Sequence, residues 1–374
     1  MQGTDTDLVE RALRDGEPLP GTGGFAGQLA DGRAVRDVLG RYPLFTERDA
    51  PGTASADPSD LDRPVRLPAG TVRSGDGDRR VWSLPEPPTF DHDRRAVAAV
   101  REAVTGSVAA VAGEDVAVAF SGGVDSAAVA AGLPDAPLYV AGFPDSPDIA
   151  AAREAARLCD REEDLTVVEL DHAAVRDLSA TVARATGRTN AMDVAIAVPL
   201  VAVARRARGD GYQRLAVGQG ADELFGGYDK VARAPGDPRV DADTVRGATR
   251  ELLAGLPDQL ERDVLALRAA GVEPVAPLLH DRVVRAALRL PGDLLVDERG
   301  ERKVAFRRAA RESVPDRVAF RGKRAAQYGS RAARELDRLA REAGFERSGG
   351  DHVAQFVADL AGDVPAIACP ARSE

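Results

Sequence analysis

The stretch AVAFSGGVDSAAVAAG, residues 117–132, joins an apolar run to a helical pattern through two consecutive glycines. Gly122 and Gly123 let backbone N–H groups converge with no side chain in the way. Ser121 and Ser126 add hydroxyl donors, and the helix that follows presents its positive end. Together these make a candidate anion cradle. It is not a Walker loop, because the G-x4-G-K pattern followed by Ser or Thr occurs nowhere in the chain. Asp125 stands inside the cradle. A carboxylate beside phosphates needs a cation between them, and Mg2+, commonly held by one or two carboxylates plus substrate oxygens, suits that place.

Outward from this turn the texture is regular. DVAVAF (115–120), LYVAGF (138–143), LTVVEL (165–170) and RLAVG (214–218) read as buried strands. Helical spacing covers 93–112, about 148–159, 172–186 and about 193–208. Strands alternating with helices predict an α/β fold, a doubly wound parallel sheet covered on both faces. Residues 241–345 read as mostly helical, and residues 1–88 as loop-rich with short strand candidates. The proline-rich SLPEPPTFDHD (83–93) is the best domain junction. The expected division is a small β-rich region at 1–88, the α/β part with its helical C-terminal portion at 89–345, and a tail at 346–374 with one helix at about 351–361.

Composition narrows the function. The net charge is −10, and the basic residues are almost all arginine, with lysine only at 230, 303 and 323. Phosphate-backbone binding needs a basic face, so nucleic acid is excluded as the main partner. Two causes of the acidic, lysine-poor composition stay open and are compatible: salt adaptation, and codon bias in a GC-rich genome. The two cysteines, Cys159 and Cys369, show no metal or disulfide spacing and fit a reducing compartment. The polar, acidic N-terminus is unlike a signal peptide. No apolar stretch reaches the ~18 residues of a membrane span. A cytoplasmic protein without membrane partners is expected.

A second loop follows the fourth predicted strand. AVGQGADELFGGY (216–228) places Asp222 and Glu223 among four glycines. In open parallel sheets, ligands gather at the carboxyl ends of strands. Both loops then face one crevice, where Asp222 can join Asp125 around a metal ion.

At this point the chain resembles the synthetase domain of glutamine-hydrolysing asparagine synthetases and their relatives the β-lactam synthetases, across about 93–335. SGGVDS is similar to the PP-loop of ATP pyrophosphatases, which split ATP between the α and β phosphates. SPDIAAAREAA (146–156) looks like the segment after the family's second strand. GQGADELFGGY matches the family's S-G-E-G-A-D-E-L-F-G-G-Y. LERDVLALRAAGVEPVAPLLHD (260–281) matches its R-D and E-x-R-x-P-F-L-D stretch. ERKVAFRRAARESVPDRVAFRGKRAAQYGS (301–330) matches its closing K-x-x-x-R and R-x-K pattern.

The resemblance implies an ATP- and Mg2+-dependent amide-forming ligase that adenylates a carboxylate, aspartate or an analogue, and transfers ammonia or an amine. It implies nucleotide contacts from Ser121, Gly122, Gly123, Asp125, Ser126, Gly218 and Gly220, metal contacts from Asp125 and Asp222, and phosphate-contacting lysines at Lys323 and Lys303. A compact ammonium near the α-phosphate would stabilise charge in the adenylation transition state.

Two departures matter. The family's loop glutamate is Gln219, which can hydrogen-bond a nucleophile or carboxamide but cannot take a proton. Either another group takes it, Glu223 or a phosphate oxygen, or the reaction differs. A general base contributes roughly 10²- to 10⁴-fold in rate. The family's Asp in P-F-L-D is His280, read as a helix N-terminal residue. TGGFAGQLADGRAVRDVLGRYPLF (22–45) and LPAG (67–70) look like remnants of the family's glutaminase domain, but its position-2 cysteine nucleophile is Gln2. An inactive, truncated glutaminase-like region is expected. A separate ammonia-supplying glutaminase and a homodimer stand as open partners. A ligase for another carboxylate or amine, or a non-catalytic nucleotide-binding homologue, are the alternatives.

Overall fold

A computed structural model of the chain describes residues 1–234, 236–322, 331–346, 351–362 and 367–368. A parallel five-stranded sheet runs in the order Leu165–Glu169, Leu138–Gly142, Val116–Ala119, Arg214–Ala216, Glu273–Val275. From Val116–Ala119 the chain steps outward twice to one side, then crosses to the other. The order therefore reverses between Val116–Ala119 and Arg214–Ala216. The register pairs Val118 with Ala216, so the two glycine loops leave adjacent strands at the same level.

The first four strands and their helices fall where hydrophobic spacing puts them. The central strands are buried and the edge strand Leu165–Glu169 is half-buried, and one core cluster contains Val116, Val118, Leu138 and Val140 together with Val100, Val104, Ala127 and Ala155 from helices. The fifth strand was not expected, because Glu273–Val275 falls in the stretch read as helical. It has three residues and a proline at its centre. Proline is tolerated there because the strand lies at the sheet edge, where a missing N–H leaves no neighbour unpaired.

The N-terminal region holds two small antiparallel sheets, one of four strands and one of three. It also holds a helix the sequence reading passed over, Thr6–Asp15, capped by Asp5 at its start and by left-handed Gly16 (φ 66°) at its end. Val9, Phe25 and Trp82 share a core cluster with the sheet and the C-terminal helices. The 83–93 segment is tied down as well: Arg250 of the long helix Val245–Ala269 donates to the Leu84 and Pro85 carbonyls at 3.1 and 2.9 Å.

Buried ions also join the regions. Arg41 donates to Asp37 (2.9 Å) and Asp281 (2.7 Å). Arg66 forks onto Glu261 at 2.7 and 2.6 Å. The tail's helix His352–Ala361 matches the sequence reading, and Ala368 bridges back to Val65. No single described helix is long and apolar enough to cross a membrane.

Candidate active site

The SGGVDS turn forms as its composition dictates. Gly122 adopts φ 74°, and a Cβ there would meet the Ala151 carbonyl oxygen at 2.5 Å. Ser126 Oγ accepts from the Ser121 N–H and donates to the Gly123 carbonyl, both at 3.2 Å. These bonds fold the turn back on the start of helix Val124–Ala131. No side chain caps that helix. Its first N–H groups are left for a ligand, as an anion cradle requires.

The second loop closes against the first. A Cβ on Gly218 would fall 2.9 Å from the Asp125 backbone, so only glycine permits this approach. Gly220 (φ 94°) turns the chain into the short helix Ala221–Leu224, and a side chain there would strike Leu279.

Between the loops lies Lys303. Its Nζ stands 2.6 and 2.7 Å from the two Asp125 oxygens and 2.6 Å from Asp222 Oδ1. The lysine is 2 % exposed, and the two carboxylates are 21 % and 18 % exposed. Burial pulls the ammonium's pKa down and Asp125 pushes it back up, with a net lowering. Lys303 caps helix Val304–Ala310 in a left-handed conformation, φ 61°. Such a backbone costs about 1–3 kcal/mol in a non-glycine residue, and strain of this kind clusters at working sites. Gly227, to which the sequence assigns no individual role, packs against this cluster. A Cβ there would lie 2.0 Å from Asp222 Oδ1 and 2.4 Å from Lys303 Cε.

A second cluster flanks the first. Gln219 Nε2 donates to Asp263 Oδ2. Arg262 donates to both Asp263 oxygens, at 2.7 and 3.1 Å, and to Asp193 at 2.6 Å. Burial opposes the Arg262 charge, but Asp263 and Asp193 outweigh it and raise its pKa. Asp263 lay in the quoted R-D motif, yet nothing in the sequence says that it reaches Gln219. Glu223 is buried and accepts from the Tyr228 hydroxyl at 2.5 Å, with burial raising its carboxyl above the usual range.

His280 caps helix Asp281–Ala287, its Nδ1 accepting from the Arg282 N–H, as read from the sequence. Lys323 lies outside the described residues. The approach to it does not: buried Arg307 holds the Ala319 and Arg321 carbonyls at 2.5 and 3.1 Å. No group of three or more His, Cys, Asp or Glu suited to a metal occurs among the described residues. The donor set is therefore two carboxylates plus whatever oxygens a ligand brings. That is the composition Mg2+ accepts beside phosphates.

An open parallel sheet with paired glycine loops at its topological switch point defines an α/β protein whose candidate ligand crevice lies at the carboxyl ends of two adjacent strands. The chain belongs to the asparagine synthase family: the model for "Asparagine synthase" matches residues 99–254 and 234–355. The matches begin at residue 99, so none of them carries a glutaminase assignment for the N-terminal region. Over 200 residues the chain is 28 % identical to a Methanocaldococcus jannaschii protein assigned as a glutamine-hydrolyzing asparagine synthetase, covering 44 % of this chain and 36 % of that one. It is 30 % identical over 126 residues to Escherichia coli asparagine synthetase B, glutamine-hydrolyzing, covering 33 % of this chain and 22 % of that one. The chain thus spans well under half the length of these relatives.

Proposed function

We propose that this chain is an ATP-dependent carbon–nitrogen ligase that activates a carboxylate, aspartate or an analogue, and passes it to ammonia or an amine without a glutaminase activity of its own. The observation that carries this is the Lys303–Asp125–Asp222 cluster, which joins both glycine loops at the switch point. The Ser121–Ser126 turn binds the phosphates through backbone N–H groups, the Ser121 hydroxyl and the helix end, while the Ser126 hydroxyl, which donates to the Gly123 carbonyl, shapes the turn. Asp125 and Asp222 are the residues that would hold a Mg2+ ion, which would supply charge neutralisation beside the phosphates. Lys303 brings a desolvated positive charge to the same place, aimed where negative charge builds during adenylation. Lys323 is the second cation assigned to that charge. Gln219 cannot act as a base, so the proton of the attacking amine leaves by Glu223 or by a phosphate oxygen.

Residues 1–88 then act as a brace, because Arg41 and Arg66 neutralise Asp281 and Glu261 of the α/β part. Nitrogen comes from free ammonia, an external amine or a separate glutaminase.

The test is a pyrophosphate-release screen over candidate acids, with and without ammonium, on the whole chain. Carboxylate-dependent release that is crippled in both Asp125→Asn and Asp222→Asn is the expected result. ATP binding with no release for any acid would leave a non-catalytic nucleotide-binding protein. Glutamate formed from glutamine by the purified chain would overturn the assignment of the nitrogen source.

A further inference from the structure

We infer that Gln219 is a specificity residue locked into one polarity: it offers the crevice a hydrogen-bond acceptor, so the group it receives is an N–H donor, the attacking amine and not a carboxylate. The inference rests on the ligase reading above and deepens it. Asp263 accepts from Arg262 through both oxygens, at 2.7 and 3.1 Å. Both carboxylate oxygens thus face donors and act as acceptors. Facing it, the Gln219 carboxamide can present only its NH2, and that is the bond found. A flipped amide would set its oxygen against a carboxylate oxygen.

The outward atom is therefore Oε1. No described residue donates to it, and it is not among the buried polar atoms sealed from solvent. Gln219 itself is half-buried, between Gly218 against the Asp125 backbone and Gly220 at the start of the Asp222 helix. A substrate carboxylate placed against Oε1 meets lone pairs, whereas an amine N–H meets an acceptor. The lock is passed back from Arg262 to Asp193, which also accepts from Asn190 (2.8 Å) and Arg188 (3.1 Å). Asp263 and Arg262 thus act through Gln219, as positioning residues.

Asp263→Asn tests the lock because it inverts it. Arg262 draws the asparagine oxygen toward itself, the new NH2 faces residue 219, and Gln219 must turn its own NH2 outward. Two measurements on the full chain are compared. Carboxylate-dependent ATP–pyrophosphate exchange reports adenylation alone, and amide formation with ammonium or hydroxylamine reports the nucleophile. Asp263→Asn and Gln219→Leu should each raise the KM for the nucleophile about 10-fold or more, the size of one lost hydrogen bond. The KM for the acid in exchange should move less than about 3-fold, well under that loss. A rise in the acid's KM with the nucleophile's unmoved would overturn the inference, as would no change in either. The side-chain NH2 signals of Gln219 give a readout free of turnover. In 15N NMR one of them should be slow to exchange in the native chain and lose that protection in Asp263→Asn. If no acid supports exchange, the ligase reading fails, and the NMR result alone decides the orientation of Gln219. Unprotected NH2 signals in the native chain would overturn the lock.

Discussion

Replacing Lys303 by methionine keeps a long, unbranched side chain and deletes its charge. What remains is two carboxylates, Asp125 and Asp222, each with an oxygen 2.6 Å from where the ammonium stood. Opposite charges near a protein surface attract by about 4 kcal/mol at 4 Å, and removing one partner of a buried pair typically costs about 3–5 kcal/mol. Both carboxylates keep some water contact, at 21 % and 18 % exposure. That argues for the lower end, about 3 kcal/mol at pH 7. Methionine inherits the left-handed φ of 61°, so strain cancels and the difference reports charge.

The sign with pH follows. Without Lys303 the two carboxylates repel only while both are charged, so the penalty grows as pH rises and shrinks as pH falls. The deficit of Lys303→Met should therefore be smaller at pH 5 than at pH 7. Adding Asp222→Asn should recover about 1–2 kcal/mol, the coupling between contacting groups. Urea unfolding followed by circular dichroism at both pH values measures this. A variant within 0.5 kcal/mol of the native chain at both would refute the reasoning, as would a double variant weaker than the single one.

Gly227→Ala drives a methyl group into the same cluster, 2.0 Å from Asp222 Oδ1. It should cost about 1–3 kcal/mol as an overpacked site and about 100-fold in pyrophosphate release, and a native rate would show that the loop has room. Arg41→Ala strips the cation from Asp37 and Asp281, both fully buried. A loss of about 3–5 kcal/mol in urea unfolding is expected, and a loss below 1 would deny the brace. Burial pushes the Asp148 carboxyl up to about 6 from 3.8. Its contribution to stability is full below about pH 4 and lost as pH rises to about 6. Asp148→Asn should therefore match the native chain at about pH 4 and exceed it by roughly 1–2 kcal/mol at pH 7, after allowance for its partial exposure. Equal stability at pH 7 would remove the desolvation argument.

The amino-acid sequence was enough to predict the parallel α/β layout, because buried strands and their covering helices must be apolar at distinct periods. It also located both loops, since only glycine allows backbone to pack as Gly122 and Gly218 do. It could not find the edge strand Glu273–Val275, whose three residues and proline carry no periodic signal. Nor could it show that the N-terminal region shares its core with the sheet, which depends on where Phe25 and Trp82 come to rest. The site divides the same way. Asp125 and Asp222 were legible from their loops, and Lys303 from its motif. Only the tertiary structure brought that ammonium onto both carboxylates, Asp125 lying 178 residues away along the chain. Likewise only the tertiary structure set Asp263 of the long helix behind Gln219, because hydrogen-bond polarity belongs to the pair and is written in neither residue alone.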